Sequence, residues 1–371
     1  MPLYMDRHEI PNGVTAKHVA EMHQADLKIQ HLYGCKGMTY WCDDQRMTAF
    51  CLIEAPNKEA LQNMHDHAHG DVPNSIIEVD GKIVESFLGR IEDPESIKTK
   101  ELDVIDETAF RFIMVTTLTS LSLLNSASKN KKAELQNFNE TILKIINEYE
   151  GRVVQRKTDC LLASFTSVSK AVLCTLEVQT KFKEFMDKDK ISNSHLQIAL
   201  SAGVPVTEKN SFFEEAIKTA ERLCNNVQGE IVISSEIKEL YKSENLNVFV
   251  DSEYINTLHP ADEKFLNVLM DCTEEIWNRS DMNIEKISKQ LGYSKSQLYR
   301  KMISITGKST NTFLKEYRLN KALNLLNRQM GNVSEIAFET GFNSPAYFSK
   351  CFSEVYGVLP SNYVKQRLMN S

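Results

Sequence analysis

Histidine is concentrated near the N-terminus, where seven of the nine histidines lie within the first 70 residues. The stretch His65-Asp66-His67-Ala68-His69 falls on a predicted helix. His65 and His69 are four residues apart, so they project from one face and could share a metal ion, whereas His67 points elsewhere. Imidazole with thiolate suits nickel, copper or zinc better than magnesium or calcium. The other nitrogen and sulfur donors of this region are His8, His18, His23, His31, Cys35, Cys42 and Cys51.

Four stretches of this region match a known pattern: MDRHEIPNGVTAKHVAEMH, YGCKGMTYWCDD, FCLIEAPNKEAL, and MHDHAHG with the trailing IIEVD. Through them residues 1–90 resemble a small family of bacterial nickel-binding proteins with a ferredoxin-like fold. The resemblance implies nickel or a similar transition metal, and the ligand positions it favours are His8, His65, His69 and Cys51. The alternative is that these histidines form structural hydrogen bonds, or line a small-molecule cleft with Tyr40 and Trp41.

The C-terminal segment contains a helix-turn-helix pattern twice, at residues 283–304 and 332–354. Each copy has an apolar face, a glycine for the turn (Gly292 or Gly341) and a serine that can cap the second helix (Ser294 or Ser344). The apolar residues expected to face inward from the second helices are Leu298, Met302, Phe348 and Phe352. Such a pair holds its second helix outward, so that its N-terminal half can enter the major groove of DNA.

A predicted helix at residues 311–328 separates the two copies and spans roughly 27 Å at 1.5 Å per residue. With turns added, the two recognition helices would lie about one DNA turn (~34 Å) apart. From Met282 onward, 13 Lys and Arg face 5 Asp and Glu, a balance that suits contact with phosphates.

Residues 265–367 resemble the AraC/XylS family of bacterial transcription regulators. The match includes Ile287, Leu291-Gly292, the Tyr317-Arg318-Leu319 stretch, Gly341-Phe342, and Tyr347-Phe348-Ser349-Lys350. By carry-over, the residues that would read bases are Ser296, Gln297, Tyr299 and Arg300 in the first unit and Ala346, Tyr347, Ser349 and Lys350 in the second. The residues expected to contact phosphates are Lys295, Lys301 and Lys308. The modest polarity at Pro345-Ala346 departs from the family pattern.

Residues 111–234 resemble class III nucleotidyl cyclase domains through RFIMVTTLTSLS, GRVVQRKTDCLLASFTS, ALSAGVPV and EAIKTAERLCNNVQGEIVISSEI. Catalytic members of that family use two aspartates to hold two metal ions. Here the first aspartate position is Thr117, and Lys218 stands where an asparagine orients the ribose. Asp159 and Arg222 match the second aspartate and a phosphate-contacting arginine. The resemblance therefore implies a domain that is not an enzyme and that retains either a vestigial nucleotide site, at Asp159 and Arg222, or a purely dimerising role. It also implies head-to-tail pairing into a homodimer.

The predicted fold class is multidomain, α+β and all-α: two ferredoxin-like βαββαβ domains followed by an all-helical double helix-turn-helix domain. The predicted boundaries are residues 1–92, a linker at 93–108, residues 109–250, a linker at 251–262, and residues 263–371. In the first domain the strands are predicted at Pro2–Ile10, Lys36–Asp43, Met47–Ala55 and Ser75–Phe87, and the helices at Val14–Tyr33 and Asn57–His69.

The chain of 371 residues has a net charge of −7 that is unevenly distributed. Residues 1–100 carry 10 Lys and Arg against 16 Asp and Glu, and residues 261–371 carry 15 against 11. The composition, 42% hydrophobic and 25% charged, argues against disorder and against a membrane protein. The eight scattered cysteines indicate reduced thiols and a cytoplasmic protein.

These observations predict a transcription regulator that binds double-stranded DNA and is controlled by a metal or small-molecule effector sensed upstream. One alternative is a nucleotidyl cyclase fused to a DNA-binding module. The other is a nickel-binding buffer with a DNA-binding tail, which would take up metal without any change in DNA affinity.

Overall fold

The computed structural model describes residues 1–94, 104–120, 129–157, 160–189, 194–208, 211–245 and 254–370. Its first part, called the N-terminal domain, alternates strands and helices. The elements are β1 (Leu3–Glu9), α1 (Ala16–Ile29), β2 (Lys36–Asp43), β3 (Thr48–Glu54), α2 (Lys58–Ala68), β4 (Ser75–Val79) and α3 (Gly81–Leu88).

The four strands form an antiparallel sheet in the order β2-β3-β1-β4, which confirms the predicted βαββαβ fold. Helices α1 and α2 both cover one face, where Val19, Leu61 and Met64 pack against Tyr4 and Ile53. The apolar residues of the opposite face, including Met5, Trp41, Phe50 and Leu52, join the core shared with the rest of the chain. Both faces of this sheet are therefore buried.

The prediction of a strand at Ser75–Phe87 is wrong in its second half. The strand ends at Val79, and the side chain of Asp80 accepts hydrogen bonds from the backbone N–H groups of Lys82 and Ile83 to start α3. Aspartate at this position favours a helix start because it satisfies amides that have no partner within the helix. Gly89, at φ +88°, then ends the helix in the left-handed conformation that glycine adopts without strain.

The middle domain also contains a βαββαβ arrangement, extended by further elements. They are β5 (Arg111–Ser120), α4 (Lys129–Glu148), β6 (Arg152–Arg156), β7 (Cys160–Phe165), α5 (Val168–Asp189), β8 (Ser194–Gly203), α6 (Glu214–Asn226), β9 (Ile231–Ile233), α7 (Ser235–Glu244) and β10 (Ile255–Thr257). The sheet order is β10-β9-β8-β5-β7-β6, with β9 parallel to both β8 and β10.

Two stretches predicted as linkers contribute to the fold. Residues 255–257 of the second stretch form β10, the edge strand of the six-stranded sheet. In the first, the backbone N–H of Ile105 donates to the Tyr40 hydroxyl at 2.7 Å, and the N–H of Cys42 donates to the Glu107 carbonyl at 3.0 Å. Polar composition concealed both contacts, because edge strands and short connections need few apolar residues.

The C-terminal domain is helical, as predicted. Its elements are α8 (Pro260–Ile276), α9 (Ile284–Gln290), α10 (Lys295–Thr306), α11 (Thr310–Asn327), α12 (Val333–Glu339), α13 (Pro345–Tyr356) and α14 (Pro360–Asn370). Leu298, Met302, Phe348 and Phe352 are fully buried, in agreement with the prediction. Val268 of α8 is apolar but 47% exposed. Within the described residues, none of the helices is long and apolar enough to cross a membrane.

Candidate metal centre and nucleic-acid interface

A buried group of histidine, aspartate and cysteine side chains lies between the N-terminal sheet and its two helices. We call Asp6, His8, Asp26, Cys51, His65 and His69 the histidine cluster. Asp6 and His8 are two residues apart in β1, so they point to the same face of the sheet. Cys51 lies on the neighbouring strand β3, and its backbone N–H donates to Asp6 Oδ1 at 2.9 Å.

Helix α2 brings His65 and His69 to this face one turn apart, with ring centroids separated by 5.2 Å. Asp26 reaches the same place from α1, and its Oδ1 lies 3.1 Å from His65 Nδ1 and 3.3 Å from His69 Nε2. His67, by contrast, is exposed and bonds to the hydroxyl of Tyr33 at 2.9 Å. The structure therefore places His65 and His69 next to each other on one face, as predicted, and His67 elsewhere.

The four predicted ligand residues all lie in this one cluster. Donor atoms of Asp6, His8, Cys51 and His65 lie within 4.8 Å of one another, and His65 also groups with Asp26 and His69. Sequence reasoning missed both aspartates, although Asp6 is two residues before His8 and this strand alternation could have revealed it. Asp26 carries no such local signal, because only the packing of α1 against α2 brings it close.

Histidine and aspartate side chains of the cluster shift one another's pKa values. Burial disfavours the charged carboxyl of Asp6, but His8 and His65 outweigh this effect and lower its pKa. Burial likewise disfavours the charged imidazoles, but Asp6 and Asp71 raise the pKa of His8 to about 10, and Asp26 and Asp6 raise the pKa of His65 to about 9. The carboxylates of Asp6, Asp26 and Asp71 therefore favour the protonated form of both histidines.

Two observations indicate that the donor set fits a transition metal. His8 Nε2 is buried and makes no hydrogen bond within the described residues, although Asp6 Oδ1 is 3.5 Å away. The other ring nitrogen of His8 lies 3.1 Å from a carboxylate oxygen of Asp71, the arrangement in which a carboxylate orients a metal-binding histidine. Burial raises the pKa of the Cys51 thiol, so a metal ion would have to displace its proton.

The alternative of a small-molecule cleft beside Tyr40 and Trp41 finds no support in the geometry. Tyr40 is 1% exposed and Trp41 is fully buried. The Tyr40 hydroxyl accepts a hydrogen bond from Ile105, and the guanidinium of Arg90 lies over the Trp41 ring. Both aromatic side chains are structural.

The first helix-turn-helix unit presents a polar, exposed face on α10. Ser294 caps the helix, and its hydroxyl accepts from the backbone N–H of Gln297 at 3.3 Å. The side chain of Gln297 bonds back to the backbone N–H of Ser294 at 3.1 Å, which engages this predicted base reader in a capping box. Ser296, Tyr299 and Arg300 are exposed, and Arg300 has no ion-pair or hydrogen-bond partner within the described residues.

The second unit places its predicted base readers similarly on α13. Ala346, Tyr347 and Lys350 are exposed, and Ser349 is half-buried. Tyr347 is 55% exposed, so its aromatic ring is accessible at the start of α13, where the sequence offers few polar groups. An exposed aromatic ring of this kind can make apolar contacts with a partner.

The three lysines assigned to phosphates all make ion pairs within the chain. Lys295 pairs with Glu285, and Lys308 Nζ lies 2.7 Å from Glu316 Oε2. Lys301 is half-buried, pairs with Asp262 and lies over the ring of Phe265. Lys301 therefore joins α10 to α8, whereas the other two are exposed enough to exchange partners.

In the middle domain, the matching positions that the structure describes make contacts within the chain. Asp159 lies outside the described residues. The Thr117 hydroxyl bonds to Asn225 at 3.2 Å. Arg222 is 6% exposed and contacts α8, where its Nη1 donates to Asn267 Oδ1 at 2.8 Å and its Nη2 bonds to Asp271. The predicted phosphate-contacting arginine thus binds part of the C-terminal domain.

Comparison with known families identifies both ends of the chain. The family model described as "Nickel responsive protein SCO4226-like" matches residues 4–79, and the model described as "Helix-turn-helix domain" matches residues 287–366. The second is the AraC-type helix-turn-helix domain. Each model matches less than half of the chain.

Curated relatives cover different parts. "Histidine kinase P4" of Formosa agariphila is 25% identical over 300 residues, covering 76% of this chain and 21% of that protein. The transcriptional regulator MtrA of Neisseria gonorrhoeae is 34% identical over 98 residues, 26% of this chain and 31% of that protein. The chain thus spans only a fifth to a third of the length of these two relatives.

Two solved structures are each similar to one domain of this chain. SCO4226 from Streptomyces coelicolor A3(2) is 34% identical, covering 21% of this chain and 94% of that chain, with a TM-score of 0.20. An adenylate/guanylate cyclase/hydrolase from Silicibacter pomeroyi is 21% identical, covering 38% and 85%, with a TM-score of 0.32.

Proposed function

We propose that this chain, with its AraC-type helix-turn-helix domain and its SCO4226-like domain, is a transcription regulator that binds DNA and responds to a transition metal. The observation that carries the proposal is the pair of helix-turn-helix units, each with a capped second helix that is buried on its apolar side and exposed on its polar side. The regulator that we propose has no catalytic activity.

The DNA contacts follow from exposure and charge. Arg300 projects from α10 with five donors and can bond to guanine O6 and N7 at once. Tyr299 and Tyr347 offer exposed rings to the bases and Lys350 offers an exposed ammonium group. Lys295 and Lys308 meet phosphates, which set the position without specifying the sequence.

Nickel is the metal we propose, held by the histidine cluster. The residues that would hold it are His8, Cys51, His65 and Asp6, which offer nitrogen, sulfur and oxygen donors together. A divalent cation held by these residues would displace a proton from each imidazolium and from the Cys51 thiol. His69, which groups with His65 and Asp26 within the cluster, would complete or exchange the ligand set.

Selection of bound duplexes from a random DNA pool, at fixed salt, tests this proposal. The full chain is incubated once with Ni²⁺ and once with a chelator. We expect one enriched sequence motif whose enrichment depends on the metal. Enrichment of no sequence would refute the regulator; enrichment that is identical in both arms would refute metal control and favour a buffering role.

A further inference from the structure

The N-terminal domain makes hydrogen bonds to the segment that leads into helix α6. Arg7 Nη1 donates to the carbonyl of Val206 at 3.2 Å, and the Ser75 hydroxyl donates to the carbonyl of Thr207 at 3.0 Å. Val206 and Thr207 belong to the segment between β8 and α6. The backbone N–H of Phe213, next to the first residue of α6, donates to the carbonyl of Pro205 at 2.9 Å. Two strands of the N-terminal sheet, β1 and β4, therefore contact the segment that leads into α6.

Aromatic side chains add further contacts between the N-terminal domain and the start of α6. Phe87 of α3 stacks on Phe213 with ring centroids 4.8 Å apart and meets Phe212 edge to face at 5.5 Å. Phe87 and Phe213 are nearly fully buried, at 2% and 1% exposure. Aromatic pairs in this geometry are worth about 0.5–1.5 kcal/mol beyond the area they bury. The N-terminal domain and the start of α6 should move as one body.

The middle of α6 contacts the C-terminal domain through charged side chains. Lys218 and Arg222 of α6 face Asp271 and Glu274 of α8, and we call these four residues the charge clamp. Lys218 Nζ lies 3.4 Å from a carboxylate oxygen of each acid, and Arg222 Nη2 bonds to both. Just beyond α6, the backbone N–H of Gln228 donates to the carbonyl of Ile305 in α10 at 3.0 Å.

The charge clamp has the features of a contact with two distinct states, one in which α6 and α8 are in contact and one in which they are apart. The Arg222 side chain is buried and its Nε has no hydrogen-bond partner within the described residues. The guanidinium therefore relies on α8 for its acceptors. Moving α8 away would leave a buried charge without a partner, which is costly unless the helix shifts far enough to admit water. Asp271, at 57% side-chain exposure, lies at the edge where water can enter.

We propose that α6 transmits the state of the histidine cluster to the DNA-binding helices, and that the charge clamp is the contact through which it acts. Arg7 lies between Asp6 and His8 in β1, so a cation that repositions those two side chains also moves the donor to Val206. Helix α6, at about 20 Å for 13 residues, carries that displacement to Asp271 and α8. This inference rests on the proposed function, because it assumes that metal and DNA binding are linked.

The test measures linkage in full-length variants. Asp271→Asn removes one charge of the clamp at constant shape, and Glu239→Gln is the matched control, since Glu239 is an exposed acid paired with Lys242 on α7. The dissociation constant for the selected duplex is measured with Ni²⁺ and with a chelator, and the ratio is the coupling factor. Coupling factors are typically about 5- to 150-fold. We expect Asp271→Asn to bring the ratio close to one while Ni²⁺ affinity without DNA is unchanged, and Glu239→Gln to keep the wild-type ratio. A wild-type ratio in Asp271→Asn would overturn the inference and leave the proposed function intact.

Hydrogen exchange distinguishes a failure of the proposed metal control from a failure of transmission through α6. If the unsubstituted chain shows a ratio of one, metal control is refuted, and exchange at residues 204–208 then tests only whether α6 connects the DNA-binding helices to the N-terminal domain. DNA binding should change exchange there in the wild-type chain but not in Asp271→Asn, with Glu274→Gln as a second variant if the first unfolds. An identical response in wild type and variant, or no response in either, would refute transmission through α6.

Discussion

The turn of the second helix-turn-helix unit should tolerate a side chain much less well than the turn of the first. Gly292 and Gly341 both have positive φ, +73° and +78°. A Cβ at Gly341 would lie 2.8 Å from the carbonyl oxygen of Trp277 and 3.0 Å from the carbonyl carbon of Asn278, whereas a Cβ at Gly292 meets nothing within 4 Å. The two glycines therefore differ only in what surrounds them.

The two alanine substitutions separate backbone strain from crowding. Gly292→Ala costs the left-handed backbone alone, about 1–2 kcal/mol. Gly341→Ala adds overpacking against a backbone that must shift, about 1–3 kcal/mol, for a total of about 2–5 kcal/mol.

Amide hydrogen exchange in peptides from α12 and α13, compared with α9 and α10, gives these local stabilities. Because Trp277 and Asn278 directly follow α8, Gly341→Ala should also displace the second unit from the first and weaken binding to the selected duplex more than Gly292→Ala does. Equal losses of protection in the two variants would refute the packing of the second turn against the end of α8.

Four further outcomes follow from the same geometry. Arg300→Ala should cost about 1–3 kcal/mol on the selected duplex only; an equal loss on random DNA, measured by fluorescence anisotropy, would remove its base-reading role. Cys51→Ser should abolish the thiolate-to-metal charge-transfer band of the Ni²⁺ form, and a retained band would place the sulfur ligand elsewhere. Ni²⁺ affinity should rise with pH towards 9–10, because His8 and His65 must first lose the protons that their raised pKa values retain; calorimetry showing a pH-independent affinity would contradict this. Lys301→Ala should leave the salt dependence of DNA binding unchanged, and a log–log slope reduced by about 0.9 would show that it neutralises a phosphate.

The helix-turn-helix units were predictable because their signals are local. The caps at Ser294 and Ser344, the turn glycines and the buried apolar positions all lie within a few residues of one another, and the structure places each as expected. The strand predicted through Phe87 failed because apolar residues after Val79 fit a strand or a helix equally well, and the cap at Asp80 decided between them.

The histidine cluster was predictable only in part. His65 and His69 share a helical face, and the resemblance added His8 and Cys51. Asp26 is far from all of them in the sequence, and only tertiary packing brings it there.

Arg222 shows a different limit of sequence reasoning. Its match to a phosphate-contacting position identified an important side chain, but the partner in the structure is α8, some 45 to 52 residues further along the chain.

Hydroxyl-radical footprinting of the selected duplex by the full chain tests the central claim most directly. If α10 and α13 enter successive major grooves, two protected stretches should lie about one helical turn, roughly 10 base pairs, apart on the same face of the duplex. Arg300→Ala should weaken only one of the two. A single protected stretch, or uniform protection without phase, would contradict the proposal that both helices contact DNA.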